Sequence, residues 1–411
     1  MTTPKWRRVL LVVLLAAVVA VVIVLHRSQS PPIVVATHST APKPAGNRPA
    51  LSSPAPIRPL PTLHTDTVEL CGYGTTPIDK EDPGAVFQKI GILTRTTAAR
   101  WLAALQNSGD LRSRAAGLWL DGKVTGGELL RPVAPQTRAA AIQLAAGAVD
   151  PAVYALVLSM CDKRAGADPD PACQQLSLQR WAAIDPDNAV PWLLLAGKAR
   201  LSHDDAAEAE AFSHAAKAHR FDDYSDSLFA FSDPELPPDV TPLERSYFAI
   251  EVIGVEAAAG SPVYGVASQH CSSAAMQDSN VRQQCESLAQ LLVRKGTTLL
   301  DLGVGRAIGA RAGWSSDRIN ELLQEQHALM QAITQATSSD NDKLWTCDTV
   351  NRVNAYMVQR VRLGEVGAAR EVLERSGETA EAMAQKYDQY MDVLRREARS
   401  QEPQYSAPPA P

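Results

Sequence analysis

The stretch DPDNAVPWLLLAGKARLSHDDAAEAEAFSHAAKAH, residues 185–219, decides how this chain folds. Asp185-Pro186-Asp187-Asn188 places capping side chains and a proline ahead of an apolar run, which predicts a helix over 189–201. A polar turn at Ser202–His203 leads into a second helical stretch over 204–219, where Phe212 and Ala215 recur at helical spacing. Two short helices with a tight connection form a hairpin that cannot bury its apolar face alone. Neighbours of the same kind must stack on it.

Outward from this hairpin the 3.6-residue period continues and period-2 alternation is almost absent from residue 85 onward. Toward the N-terminus it predicts helices over 85–106, 110–120, 136–148, 151–162 and 172–184. Toward the C-terminus it predicts 242–258, 280–294, 297–311, 315–336, 344–363, 366–375 and 378–399. Alanine abounds in these stretches, which suits close helix packing. Gly364-Glu365 and Ser376-Gly377-Glu378 fit short connections between antiparallel helices. The chain therefore reads as all-α, with one helical half over 66–220 and another over 242–400. The acidic, proline-bearing segment 221–241 is the expected break, and 401–411 reads as an unstructured tail.

Residues 1–65 are of a different kind. Val9 to Leu25 is 17 consecutive apolar residues, about 26 Å as a helix and close to the roughly 30 Å of a bilayer core. Lys5, Arg7 and Arg8 precede it and Arg27 follows it, so residues 1–8 are expected in the cytoplasm. The run is longer than the apolar region of a cleaved signal peptide, and no small-x-small site follows, so 9–25 is expected to be a retained signal anchor. Residues 26–65 carry nine prolines and read as a disordered linker of polyproline character. The expected address is the inner membrane, single-pass, with the C-terminal domain in the periplasm or extracytoplasmic space.

The net charge of −5 conceals this division. The first 65 residues hold seven basic and no acidic side chains, and the other 346 hold 33 basic and 45 acidic ones. An acidic folded part argues against nucleic acid as a partner. All six cysteines lie beyond the apolar run, and an even count in an exported domain points to disulfides. Cys161 with Cys173, and Cys271 with Cys285, each flank one short polar stretch. Cys71 and Cys347 remain as a strap between the start of the domain and a late helix. No Cys-x-x-Cys, metal-ligand or nucleophile spacing occurs, so neither metal nor cofactor is expected.

The stretch around Trp192 resembles the tetratricopeptide repeat. Pro186 stands six residues before Trp192, with Leu195, Ala196 and Ala199 at the leucine, small and tyrosine-type positions, and Phe212 and Ala215 at the later ones. Glu208 and His203 depart from that pattern, where the family has alanine and often glycine. The preceding unit, 155–188, keeps Leu178 and Pro186 but has Trp181 at a small-residue site. A second match, 350–383, has Tyr356, Gly364, Ala369 and Leu373 without the tryptophan. The resemblance covers about 100 of the 411 residues and is degenerate. The Asp-Pro-Asp-Asn-Ala-x-Pro-Trp run is also similar to that of exported proteobacterial helical proteins with no assigned activity. The family likeness implies hairpins stacked as an array, with the first helix of each pair lining a concave surface. Carried to this chain, that surface includes Val190, Leu193 and Arg200 in one unit and Asn351, Asn354 and Arg362 in the other.

Motifs of chemistry are scarce. Gly303-Val-Gly305-Arg-Ala-Ile308 lacks the third glycine of a dinucleotide loop, and Gly305, Gly309 and Gly313 at spacing four predict close helix approach instead. Acidic clusters at 79–82, 168–170, 204–205, 222–223 and 233–239 lie mostly in turns, where aspartate caps helices. The expected function is a membrane-anchored, envelope-exposed helical scaffold that binds a protein or peptide partner without catalysis. Self-association remains open, and the alternative is an exported cell-wall-modifying hydrolase using paired carboxylates.

Overall fold

Residues 185–219 form the expected hairpin, with helices over Ala189–Leu201 and Asp205–Lys217. The computed structural model describes residues 67–77, 85–121, 123, 133–161, 171–224, 227–259, 263–338 and 343–401. The expected anchor at 9–25, the linker at 26–65 and the tail beyond 401 lie outside the described residues. Among the described residues no helix is long and apolar enough to cross a membrane.

The described chain opens with an antiparallel hairpin that the helical periodicity did not foretell. Strand β1 (Thr67–Leu70) pairs with β2 (Gly74–Pro77), Val68 facing Thr76. Thr67 and Glu69 are exposed while Val68 and Leu70 are buried, the alternation of a half-buried strand. Fifteen helices follow. They are α1 (Ala85–Asn107), α2 (Leu111–Leu120), α3 (Pro135–Ala146), α4 (Pro151–Ser159), α5 (Leu178–Ile184), α6 (Ala189–Leu201), α7 (Asp205–Lys217) and α8 (Leu228–Ser232). Then come α9 (Pro242–Ala259), α10 (Val263–His270), α11 (Ser279–Lys295), α12 (Leu299–Ala312), α13 (Ser316–Thr337), α14 (Cys347–Ser376) and α15 (Ala380–Gln401). The fold is all-α apart from the hairpin.

Capping explains the boundaries. Asp110, Asp150, Asn188, Asp204 and Asp278 each accept a backbone N–H at a helix start, the service that turn aspartates and asparagines perform best. The expected helix over 172–184 instead divides into a 3₁₀ turn (Pro171–Gln175) and α5, because Ser177 caps α5 and donates its N–H to the Tyr154 hydroxyl. Asn188 is wholly buried, and its side-chain amide donates to Asp185 at 2.8 Å and to the Asp222 carbonyl at 2.6 Å. Asp185 also pairs with Arg220 and accepts from the Tyr224 hydroxyl at 3.1 Å. This knot ties both ends of the α6–α7 hairpin together.

Glycines resolve two further expectations. Gly364 sits at φ 72° inside α14, and there the chain kinks between its two expected helical segments. A Cβ at that position would stand 3.1 Å from Thr297, while Glu365 accepts the Leu299 N–H and Val366 donates to the Thr297 carbonyl. The kink thus caps α12. Of the three spaced glycines, only Gly305 serves helix approach, meeting Leu292 and Val293 of α11. Gly309 receives the Trp314 ring, and Gly313 ends α12 at φ 97°.

The main core runs from Ala98 to Ala368 and joins both halves of the chain. Phe221, Tyr224, Leu228 and Phe229 from the expected break are buried in it. Trp101, Trp119 and Trp181 are buried there too, and Trp101 donates its indole N–H to the Ser232 carbonyl. A second cluster packs Val68 and Leu70 with Val86, Ile90, Trp345 and Val350. All six cysteines pair, as Cys71–Cys347, Cys161–Cys173 and Cys271–Cys285.

Candidate functional site

The first surface to test is the one the repeat likeness implies. Val190 and Leu193 are 1% and 0% exposed, so they belong to the core and line no groove. The reason is α10, which packs on α6 where a free face was expected. A Cβ on Gly197 would meet Val266 of α10 at 2.6 Å, so the glycine admits that helix. Arg200 is committed to the same junction. It pairs with Glu208 and donates to Gln269 at 3.2 Å.

His270, at the end of α10, completes the junction. Its ring stacks on Phe212 with centroids 3.6 Å apart, and its Nδ1 stands 2.8 Å from Glu208. The Arg200 guanidinium holds the Glu208 carboxyl below its usual range, so Glu208 is an acceptor and Nδ1 carries the hydrogen. Burial pushes the imidazole down from its ordinary value, which favours the neutral ring. Arg311 of α12 donates to the Ser268 and Cys271 carbonyls and fastens α10 from the other side. The junction is a lock between helices.

The second expected unit is partly open. Asn351 and Arg362 are exposed, and Arg362 contacts Gln359 and Glu371. Asn354 instead faces α9, donating to the Pro242 carbonyl at 2.8 Å and accepting from the Ser246 hydroxyl at 2.9 Å. Val358, Val361 and Leu363 lie on α14 with 48%, 40% and 43% exposure.

Beside that contact a pocket of about 290 Å³ opens between α9, α13 and α14. Ile250 and Ile253 form one wall, Ile333 and Thr337 another, and Val353, Tyr356 and Met357 a third. Leu344, Trp345 and Val350 close the end next to the Cys71–Cys347 bridge, where the Cys71 N–H donates to the Trp345 carbonyl at 2.9 Å. The volume is nearly twice that of a dry apolar cavity of about 150 Å³ that admits benzene.

The charged groups in this pocket already have partners. Arg360 reaches Glu256 at 3.3 Å with both side chains largely buried, and Glu256 also accepts the Phe229 N–H. Glu365 caps α12, and burial pushes the Tyr356 hydroxyl above its usual value. A charged guest would find both pocket charges already paired or capping, whereas an apolar one removes surface from water at about 25 cal/mol per Å². Sequence reasoning reached Asn354 at the pocket's edge and missed its walls, one of which, α9, lies far along the chain from α13 and α14.

Several of the described acidic residues have structural work. Asp204 caps α7, Asp239 pairs with Arg100, and Asp233 pairs with Arg245. The clusters at 79–82 and 168–170 lie outside the described residues. Among the described residues no group of three or more His, Cys, Asp or Glu is placed to hold a metal ion. No protein-family model, curated protein or solved structure matches this chain.

Proposed function

We propose that this chain is a membrane-anchored, envelope-exposed helical scaffold that binds a protein or peptide partner, taking an apolar side chain of that partner into the α9–α13–α14 pocket. The observation that carries the reading is the pocket itself: about 290 Å³, walled by isoleucine, valine, methionine and aromatic side chains, with its charges paired. Peptide recognition by helical scaffolds places apolar anchors in such recesses. Ile250, 39% exposed on the pocket wall, gives the guest a rim to contact.

The extracytoplasmic address is supported by the 17-residue apolar run with its basic flank and by three disulfides beyond it. The stacking of α6 and α7 on α5, α10 and α11 supports a tetratricopeptide-like arrangement of hairpins. In that arrangement α10 fills the first unit's face, so recognition moves to the second.

A photo-crosslinking amino acid at Ile250, introduced into the full chain in cells, tests the proposal. The expected result is a discrete adduct to another protein, or to a second copy of this chain, that is absent when the group is placed at Leu201, which is 85% exposed. Equal adducts from both positions, or none from Ile250, would overturn it.

A further inference from the structure

Three tyrosines packed in or against the main core spend their hydroxyls on protein groups. Tyr154 accepts the Ser177 N–H at 2.8 Å, Tyr224 donates to Asp185 at 3.1 Å, and Tyr264 donates to Asp301 at 2.9 Å. Tyr356 of α14 does not. It is only 5% exposed and lines the pocket between α9, α13 and α14, yet its hydroxyl has no hydrogen-bond partner among the described residues. A buried phenol ordinarily finds one, because a polar group shut away from both water and protein is costly.

The polar neighbours of Tyr356 in the lining are committed elsewhere. The Thr337 hydroxyl donates to the Ile333 carbonyl at 2.8 Å within α13, and the Ser246 hydroxyl donates to Asn354 at 2.9 Å. Arg360, one turn on from Tyr356 along α14, pairs with Glu256 at 3.3 Å. Glu365 accepts the Leu299 N–H. A guest with a polar tip supplies the missing partner, and a guest without one leaves the hydroxyl unsatisfied. The rest of the lining suits a ring. Trp345 and Met357 contribute an indole and a thioether, both favourable neighbours for an aromatic group. A dry cavity of about 150 Å³ admits benzene, so about 290 Å³ has room for a ring with its substituents.

We propose that the pocket selects an aromatic side chain with a polar tip, tyrosine or tryptophan, and that the Tyr356 hydroxyl is the group that reads the tip. This rests on the pocket being the partner's docking recess, and it names the anchor that the recess prefers. A tyrosine O–H both donates and accepts, so it serves a phenol or an indole N–H equally. Leucine, isoleucine or phenylalanine fills the same space and leaves the hydroxyl unpaired.

The free side-chain analogues test this: p-cresol for tyrosine, 3-methylindole for tryptophan and toluene for phenylalanine. Each is titrated calorimetrically into the full chain in lipid nanodiscs, where partition into lipid is common to all variants and cancels between them. Tyr356→Phe should weaken p-cresol, 3-methylindole or both at least about fivefold, while toluene stays within about twofold of the parent. The melting temperature of Tyr356→Phe should match the parent's, since the hydroxyl has no partner to lose; a lower one contradicts the unpaired hydroxyl. Val353→Phe, which fills the pocket, should weaken all three probes. An equal response of the three to Tyr356→Phe, with Val353→Phe still blocking them, overturns the selectivity and leaves the docking recess standing. Indifference of all three to Val353→Phe overturns both.

Discussion

Removing the Cys71–Cys347 bridge should destabilise the domain more than removing either local bridge. The bridged residues are 276 apart in sequence, against 12 for Cys161–Cys173 and 14 for Cys271–Cys285. In the chain-entropy relation the long loop contributes about 5.6 kcal/mol at 25 °C and the short ones about 3 kcal/mol each. The two local bridges shorten the long loop by only about a tenth, which barely changes its logarithm. The strap also holds β1–β2 against Val86, Ile90 and Trp345, so its loss frees the edge of a buried cluster. Against a typical domain stability of about 5–15 kcal/mol, such a loss leaves a marginal fold. The assay is urea unfolding under non-reducing conditions, followed by circular dichroism, for three double cysteine-to-alanine variants. Cys71→Ala with Cys347→Ala should shift the unfolding free energy most. A loss equal to or smaller than that of the Cys161–Cys173 variant refutes the reasoning.

Three other perturbations have stated outcomes. Asp185→Ala removes the carboxylate that holds Arg220, Asn188 and Tyr224, and should cost about 3 kcal/mol by chemical denaturation; a loss under about 1 kcal/mol contradicts the knot. His203 adopts φ 56° between α6 and α7, so His203→Val should cost about 1–2 kcal/mol while His203→Gly is neutral or stabilising; thermal melts of both decide it. Burial raises the Asp301 carboxyl from 3.8 to about 6, so the folded state binds its proton more tightly than the unfolded chain. Stability from this group is full below the unfolded value and is lost as pH rises through about 6, a swing of about 3 kcal/mol. The difference in unfolding free energy between the parent and Asp301→Asn should therefore fall from pH 4 to pH 7, and a flat difference contradicts the burial.

Local features were the legible ones. The helix over 189–201 was foreseen to the residue, because Asn188 marks its start and the apolar run its length. The cysteine pairs followed from loop spacing. The β1–β2 hairpin escaped because four-residue strands give too short an alternation to register against a helical background. Helix α10 escaped for a similar reason: eight residues after Ser261-Pro262, with Gly265 inside, carry barely two turns of periodicity.

That missed helix had a consequence for the site. Helical spacing cannot tell a face that binds a partner from one that another helix of the same chain covers. Val190 and Leu193 are buried in the core, α10 packs on their helix, and Arg200 is drawn into its lock. The pocket was illegible for a deeper reason. Ile250, Ile333 and Val353 meet only through tertiary packing, and nothing in their local sequence announces the space between them.

The most direct test of the central claim is to fill that space. Val353 is 7% exposed and lines the pocket, so Val353→Phe should occupy it from within while the fold and its melting temperature are kept. In the chain carrying the photo-crosslinker at Ile250, the account predicts that this substitution lowers the yield of the partner adduct at least about tenfold. An unchanged yield from a folded Val353→Phe chain would contradict it.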